Sequence, residues 1–181
     1  MESREERFHR LYEAGRGRLV AYAMRRSHNS DDASDAVAET FAIAWGRLDS
    51  IPHGDREIPW LYTVARRVIA NRVRRDSNRS AVVSRLANEL AASSPAIEES
   101  DPERPAALSA LGQLSEEDRE ILMLVAWDGL TSQELGWVLS CTSTAARIRL
   151  HRARARLNQA WSDRQETAAD ASQLLQEAPE P

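Results

Sequence analysis

The feature that most constrains this chain is the helical spacing of its apolar residues, which is clearest between residues 131 and 157. Thr131 and Glu134 have the spacing of a capping box, a signal for the start of a helix. Residues 140–142 interrupt this pattern, and Ser143 directly after them is a candidate cap for a second helix. In that helix, apolar residues fall at i, i+4, i+7 and i+11, which predicts one buried stripe. The stripe consists of Ala146, Leu150, Ala153 and Leu157. The stretch therefore predicts two short helices joined by a tight turn.

The other face of the second helix is basic. Residues 143–157 contain five Arg and no acidic residue. A helix with one apolar stripe and an outer face of arginine suits the major groove of DNA, where arginine contacts guanine edges or phosphates. A solvated basic helix is the alternative, but a capped helix directly before it favours a helix-turn-helix unit.

Charge is unevenly distributed along the 181 residues. The formal net charge is −4, and all 24 cationic residues are Arg. Residues 60–79 hold six Arg against one Asp, whereas residues 86–105 and 158–181 each hold five acidic residues against one Arg. Two basic segments separated by acidic ones predict two contacts with nucleic acid.

Helical spacing also marks the first part of the chain. Residues 5–27 predict a helix or a closely spaced pair, with Gly15 and Gly17 as a candidate break. Residues 32–48 predict a helix with one buried face, formed by Val37, Phe41, Ala44, Trp45 and Leu48. A second face of that helix is acidic, with Asp32, Asp35 and Glu39 at i, i+3 and i+7. Three carboxylates on one stripe invite a cationic partner, and a solvated acidic face is the alternative.

The segment after this helix combines a loop with an aromatic and basic helix. Pro52, Gly54 and Pro59 predict a loop over residues 49–59. Residues 59–79 then predict an amphipathic helix with arginines on its outer face. Cations next to aromatic residues and a polar loop suit single-stranded DNA, whose unstacked bases need pockets.

No segment alternates like a strand, so the predicted fold class is all-α. We predict two small helical domains, residues 5–80 and 106–161, joined by a flexible linker at 81–105 with a short helix near 82–90. In the second domain Ser115 is predicted to cap a helix that ends at Gly129. Residues 162–181 predict a disordered acidic tail.

Several classes of protein are disfavoured. The lone Cys141 excludes an internal disulfide, and no apolar run approaches the roughly 18–20 residues of a membrane span. Without a signal peptide at the N-terminus, we expect a soluble protein of the cytoplasm. The four His residues are scattered, and there is no Gly-rich phosphate loop or spaced Cys/His set. We therefore predict that the chain is not an enzyme and has no cofactor or metal site.

Residues 130–157, LTSQELGWVLSCTSTAARIRLHRARARL, resemble the C-terminal DNA-binding domain of the extracytoplasmic-function (group 4) sigma factors of the sigma-70 superfamily, whose usual form is LSxxEIAxxLGCxxGTVxSRLHRARxxL. The resemblance implies that residues 106–161 form the region 4 helix-turn-helix domain, which recognises minus-35 DNA. The minus-35 contacts expected from the helix face and the resemblance are Ser143, Thr144, Arg147, Ile148, Arg149, His151, Arg152 and Arg154.

Two segments of the first domain resemble region 2 of the same family. Residues 32–45, DASDAVAETFAIAW, resemble DAEDLVQETFLRAW, the helix that docks on a coiled coil of the largest polymerase subunit. This likeness implies core-binding roles for Asp32, Asp35 and Glu39. Residues 59–79 resemble WLxxIARNxxxDxxRRxxR, which recognises and melts the minus-10 element. The expected minus-10 contacts are His53, Arg66, Arg67, Asn71, Arg74 and Arg75.

The sequence therefore predicts a sigma factor that binds core RNA polymerase and directs transcription initiation at promoters, through duplex minus-35 DNA and single-stranded minus-10 DNA. The resemblance further implies an anti-sigma factor as a partner, no membrane contact, and association with the nucleoid when the chain is in holoenzyme. The alternative is a helix-turn-helix regulator that binds duplex DNA as a dimer without polymerase. That alternative explains residues 131–157 but neither the basic segment 60–79 nor the acidic stripe.

Overall fold

The computed structural model describes the backbone of residues 2–27, 29–75 and 109–176, and their side chains except at Arg75 and residues 165–176. The helices are α1 (Arg4–Met24), α2 (Ser30–Gly46), α3 (Glu57–Arg75), α4 (Glu116–Ala126), α5 (Ser132–Val138) and α6 (Ser143–Gln176), with single 3-10 turns at Leu48–Ser50 and Gly54–Arg56. Residues 109–113 are also helical. None of the described residues lies in a strand, which confirms the all-α class. The predicted linker, with its short helix, lies outside the described residues.

The described residues divide into two compact units. One unit comprises the residues up to 75 together with 124–147, and the other comprises residues 109–123 and 148–176. The two domains predicted from the sequence, residues 5–80 and 106–161, have boundaries that differ from those of these units, and that division stays a prediction.

In the first unit, α1, α2 and α3 pack around one apolar core. A capping box starts α1, with the Glu6 N–H donating to Ser3 Oγ at 3.1 Å and the Ser3 N–H donating to Glu6 Oε2 at 2.7 Å. The side chain of Asn29 caps α2 by accepting from the Asp32 N–H at 2.8 Å. Fully buried large side chains include Leu11, Leu19, Tyr22, Leu48, Leu61 and Tyr62.

The predicted buried face of α2 is confirmed at four of its five positions, and the fifth, Trp45, is wrong. Trp45 is 40% exposed. Its ring packs edge-on against Phe8, with centroids 5.1 Å apart, and the Arg4 guanidinium lies 5.2 Å from its centroid. The indole therefore packs on the outside of α1, near its start. Trp45 lies in the last turn of α2, from where its long side chain reaches the neighbouring helix.

The candidate break at Gly15 and Gly17 does not occur, since α1 is continuous from Arg4 to Met24. Gly15 is buried, and a Cβ added there would lie 2.6 Å from Leu61 Cδ1 and 3.6 Å from Phe41 Cζ. Gly17 has nothing within 4 Å of its would-be Cβ. Gly15 therefore permits the close approach of α1 to α3 and does not interrupt the helix.

These two glycines provide a matched pair of substitutions. Both Gly15→Ala and Gly17→Ala add one methyl group to α1 and gain the same helix propensity, about 1 kcal/mol. Only Gly15→Ala overpacks the core, at a cost of roughly 1–3 kcal/mol. We expect the unfolding free energy of Gly15→Ala to fall below that of Gly17→Ala by this amount, as measured by urea denaturation. Equal stabilities would show that Leu61 moves aside freely.

Asp128 is a buried carboxylate of the first unit that the sequence did not single out. It accepts hydrogen bonds from Arg25 Nη2 and from the Tyr62 hydroxyl at 3.2 Å, and Arg26 Nη2 lies 3.8 Å from Oδ2. Burial, together with the negative charge of Asp128, raises the pKa of Tyr62 to about 12. The predicted helix end beside it is confirmed, with Gly129 at φ +66°.

In the second unit, an ion pair joins the start of α4 to α6. Ser115 caps α4 as predicted, accepting from the Asp118 N–H at 3.2 Å. Arg156 Nη1 donates to both oxygens of Asp118, at 2.9 and 2.7 Å. The Asp118 side chain is only 10% exposed, so this arginine serves the packing of the domain.

The last helix is longer than the sequence suggested. It continues through residue 162 as far as Gln176, where a disordered tail was predicted. The reason is local, because residues 158–176 contain good helix formers and neither Gly nor Pro. No helix in the described parts of the chain is long and apolar enough to span a bilayer.

Candidate polymerase and DNA interfaces

The acidic stripe of α2 lies on its outer face, as predicted. The side chains of Asp35 and Glu39 are 72% and 46% exposed. Both carboxylates nevertheless have a partner within the chain, since Arg72 of α3 lies 3.4 Å from Asp35 Oδ2 and 2.9 Å from Glu39 Oε2. The hydrogen bond to Glu39 raises the pKa of Arg72. Asp32 sits on the first turn of the same helix and is half-buried.

The sequence did not predict the ion pairs that Arg72 forms with α2. Arg72 was predicted only to lie on the outer face of α3, together with the other arginines. Its partners are 33 and 37 residues away on another helix, and no spacing along the chain signals such a pair. Because these charges are partly exposed, we expect the interaction to be weak and replaceable by a stronger external cation.

The outer face of α3 is basic and open. Arg66, Arg67, Asn71 and Arg74 are all exposed. At 100° per residue, Arg67, Asn71 and Arg74 fall on one face at i, i+4 and i+7, with Arg66 beside them. Arg75 is the last described residue of α3, and its side chain lies outside the described residues. This face can hold a phosphate backbone while the amide of Asn71 meets a base edge.

The loop that leads into α3 carries the remaining predicted minus-10 residue, His53. It is exposed between the two 3-10 turns and precedes Gly54, which has φ +71°. The helix begins at Glu57, two residues before the predicted start at Pro59. Pro59 is tolerated in the first helical turn, because its missing N–H would have no partner there.

The helix-turn-helix unit is formed by α5, the turn and the start of α6. The predicted capping box is confirmed, with the Glu134 N–H donating to Thr131 Oγ1 at 3.2 Å and the Thr131 N–H donating to Glu134 Oε2 at 2.8 Å. Gly136 makes the turn tight, since a Cβ there would lie 2.9 Å from the Cys141 carbonyl oxygen. The prediction that Ser143 caps α6 is wrong: Thr142 does so, accepting from the Ala145 N–H at 3.1 Å.

The outer face of α6 holds all the predicted minus-35 residues. Ala146, Leu150 and Ala153 are buried as predicted, while Leu157 is half-buried. Every predicted minus-35 contact is exposed, from Ser143 to Arg154. Ile148 lies nearly opposite the buried stripe and is 48% exposed, so it is the centre of the outward face. Arg156, which was not among the predicted contacts, is the arginine paired with Asp118.

These observations define an all-helical protein with a helix-turn-helix unit and a second helix whose outer face is basic. Comparison with known families agrees with this class. Residues 11–79 match the model of Sigma-70 region 2, and residues 105–157 match that of Sigma-70, region 4.

Individual proteins and structures point to the same family. The chain is 30% identical over 149 residues to the RNA polymerase sigma factor CarQ of Myxococcus xanthus, covering 82% of this chain and 85% of CarQ. It is 30% identical over 150 residues to the ECF RNA polymerase sigma factor SigL of Mycobacterium tuberculosis, covering 78% and 81%. With the probable sigma factor RfaY of Xanthomonas campestris, at 28% identity, the match covers 93% of this chain but 44% of RfaY.

Two solved structures share the fold. One is the sigma factor RpoE with the anti-sigma factor NepR from Bartonella quintana, at 25% identity and a TM-score of 0.53, covering 80% of this chain and 89% of that one. The other is CnrH with the cytosolic domain of CnrY, at 26% identity and 0.57, covering 84% and 85%. The chain belongs to the extracytoplasmic-function sigma factors of RNA polymerase. This membership confirms the predicted family and the predicted class of function, transcription initiation with RNA polymerase.

Proposed function

We propose that this chain joins core RNA polymerase through the acidic face of α2 and directs it to promoters through two DNA contacts. Residues 49–79 contact single-stranded minus-10 DNA, and the outer face of α6 contacts duplex minus-35 DNA. The observation that carries the proposal is the exposure of three charged faces, one acidic and two basic, in a chain whose net charge is −4. A chain with only an acidic face, or only a basic one, would be explained by a single kind of partner. The presence of both kinds of face supports binding to polymerase as well as to DNA.

The core contact is electrostatic in this proposal. Asp35 and Glu39 meet a cationic surface of the polymerase, which displaces Arg72 from them. Arg72 holds the carboxylates at 2.9–3.4 Å in the free chain, so the two side chains are already oriented together before docking. Asp32, on the first turn of α2, adds negative charge at the edge of this contact.

The two DNA contacts use different chemistry. On α3, exposed arginines hold the backbone of the melted strand, and Asn71 and His53 offer polar groups to unstacked bases. On α6, Arg147, Ile148 and His151 enter the major groove near the start of the helix, whereas Arg154 contacts phosphate. The chain itself performs no chemistry, and the polymerase supplies catalysis.

The proposed partners, polymerase and promoter DNA, determine where in the cell the protein acts. We place the protein in the cytoplasm, associated with the nucleoid when it is in holoenzyme. The two similar solved structures are complexes with NepR and with CnrY, NepR being named an anti-sigma factor. By analogy, an anti-sigma factor that covers the charged faces of α2 and α6 is a partner of this chain.

A binding experiment separates this proposal from a dimeric regulator. Labelled protein is titrated with core polymerase, and separately with duplex DNA carrying a minus-35 element. We expect a one-to-one complex with core, and tight promoter binding only after core is added. A dimer that binds duplex DNA tightly by itself and ignores core would contradict the proposal.

A further inference from the structure

Arg7 is a buried arginine that none of the proposed contacts uses. It lies on α1 and is 9% exposed. Its Nη1 donates to the Leu48 carbonyl oxygen at 2.9 Å, and its Nη2 donates to the Ile51 carbonyl oxygen at 2.8 Å. A single guanidinium therefore holds the first residue of the 3-10 turn Leu48–Ser50 and the residue that directly follows this turn.

Glu57, the first residue of α3, is held by the same end of α1. It is 6% exposed. Arg10 donates to both of its oxygens, from Nη1 at 2.7 Å and from Nη2 at 3.2 Å, and Arg7 Nη2 lies 3.8 Å from Oε1. These hydrogen bonds to Glu57 also raise the pKa of Arg10. Two arginines one turn apart thus attach the start of α3 to α1.

The residues between these two anchors, 52–56, form the middle of the predicted loop at 49–59 and include His53, a predicted minus-10 contact. His53, Gly54, Asp55 and Arg56 are all exposed. Only residues 52–56 lie between the fixed Ile51 carbonyl and the fixed Glu57 side chain, and the Glu57 N–H closes back onto the Gly54 carbonyl. A segment this short, held at both ends, has little freedom to move against α3.

Core stability alone does not account for Arg7. A buried arginine loses hydration, and the Nε of Arg7 has no hydrogen-bond partner. Buried ion pairs can often be replaced by apolar residues without loss of stability, whereas their role in specifying one geometry is attested in some proteins. The two carbonyls that Arg7 holds belong to Leu48, the first residue of the 3-10 turn, and to Ile51, which directly precedes residues 52–56. This position indicates that Arg7 specifies where the segment 52–56 begins.

We propose that Arg7, with Glu57 as its partner, is a positioning residue for minus-10 recognition: it holds residues 52–56 where their side chains meet the unstacked bases. The inference rests on the proposed minus-10 role of residues 49–79. Arg7 itself stays buried and touches no DNA.

The test uses the full-length protein in holoenzyme, on a panel of promoters that each carry one altered minus-10 base. Arg7→Lys keeps the charge, but one ammonium cannot reproduce the planar fork that reaches two carbonyls. A well-placed base contact discriminates on the order of tenfold or more. We expect Arg7→Lys to reduce the discrimination at one or two minus-10 positions to about twofold. Core affinity and minus-35 preference should be unchanged.

Two further variants make the result decisive. Arg16→Lys, at an exposed position of the same helix, is the matched control and should keep the native preference. Glu57→Gln removes the buried charge and should alter the same minus-10 positions as Arg7→Lys. A purely structural role would lower transcription from all promoters alike, and that result overturns the inference. Failure of both Arg7→Lys and Glu57→Gln to fold also overturns it.

Failure of the inference is distinguishable from failure of the proposed function. A native holoenzyme without preference at any minus-10 position would overturn the function proposed for residues 49–79. A native preference that survives in Arg7→Lys overturns only the positioning role.

Discussion

Replacing Asp35 and Glu39 together by arginine is expected to abolish binding to core polymerase. The change puts two cations where a cationic partner docks, and like charges facing each other in an interface cost several kcal/mol. We therefore expect the affinity for core to fall by about a hundredfold or more. Fluorescence anisotropy of labelled protein titrated with core measures this loss.

The fold should survive this double substitution. Both side chains are largely exposed, and exposed ion pairs such as those with Arg72 contribute only about 0.2–1 kcal/mol. A matched control is Glu5→Arg with Glu13→Arg, which reverses two exposed charges on α1 and should leave core affinity within about threefold of native. Loss of helicity in the α2 variant would show that its carboxylates are structural, and unchanged core affinity would place the docking face elsewhere.

Arg147→Ala and Arg154→Ala should affect minus-35 recognition in different ways. Arg147 lies near the start of α6, where a recognition helix meets base edges, and a bidentate contact with guanine contributes roughly 1–3 kcal/mol of discrimination. We expect Arg147→Ala to relax sequence preference at one or two positions. Arg154 lies two turns further along, so Arg154→Ala should weaken all sites alike and reduce the salt dependence by about one charge.

Selection from a randomised minus-35 library, carried out with holoenzyme at several salt concentrations, measures both effects. Arg156→Ala is not a suitable control, because Arg156 holds Asp118 and its loss would affect folding. Arg164→Ala, at an exposed position beyond the predicted contacts, should leave preference and salt dependence unchanged. An unaltered preference in Arg147→Ala would show that α6 enters the groove with another face.

Much of this fold is encoded over short distances along the chain. The capping box at Thr131 and Glu134, the cap at Ser115 and the buried stripe on α6 were all predictable, because each depends on residues within a few turns of one helix. The exposure of the acidic and basic faces followed from the same periodicity. The family assignment followed from motifs of this kind, and the comparisons confirm it.

The features that sequence reasoning missed depend on residues far apart in the chain. Gly15 looked like a break because its contact with Leu61 is 46 residues away and appears only when α1 meets α3. Arg72 looked like a free cation because its partners belong to α2. Arg7 and Glu57 carried no recognisable motif, since Arg7 holds backbone carbonyls that any residue could supply. Roles of individual residues in the interfaces remain proposals for the same reason.

The most direct test of the proposed function is transcription in vitro with purified core polymerase from the same bacterium. The template pool consists of its promoter regions, and transcript ends are mapped with and without this protein. We expect new start sites, each preceded by shared minus-10 and minus-35 elements, that appear with the native chain and vanish with the Asp35→Arg, Glu39→Arg variant. If core makes no new start site with the native protein, while the protein alone binds duplex DNA tightly, the proposal that it acts as a promoter-specificity subunit is contradicted.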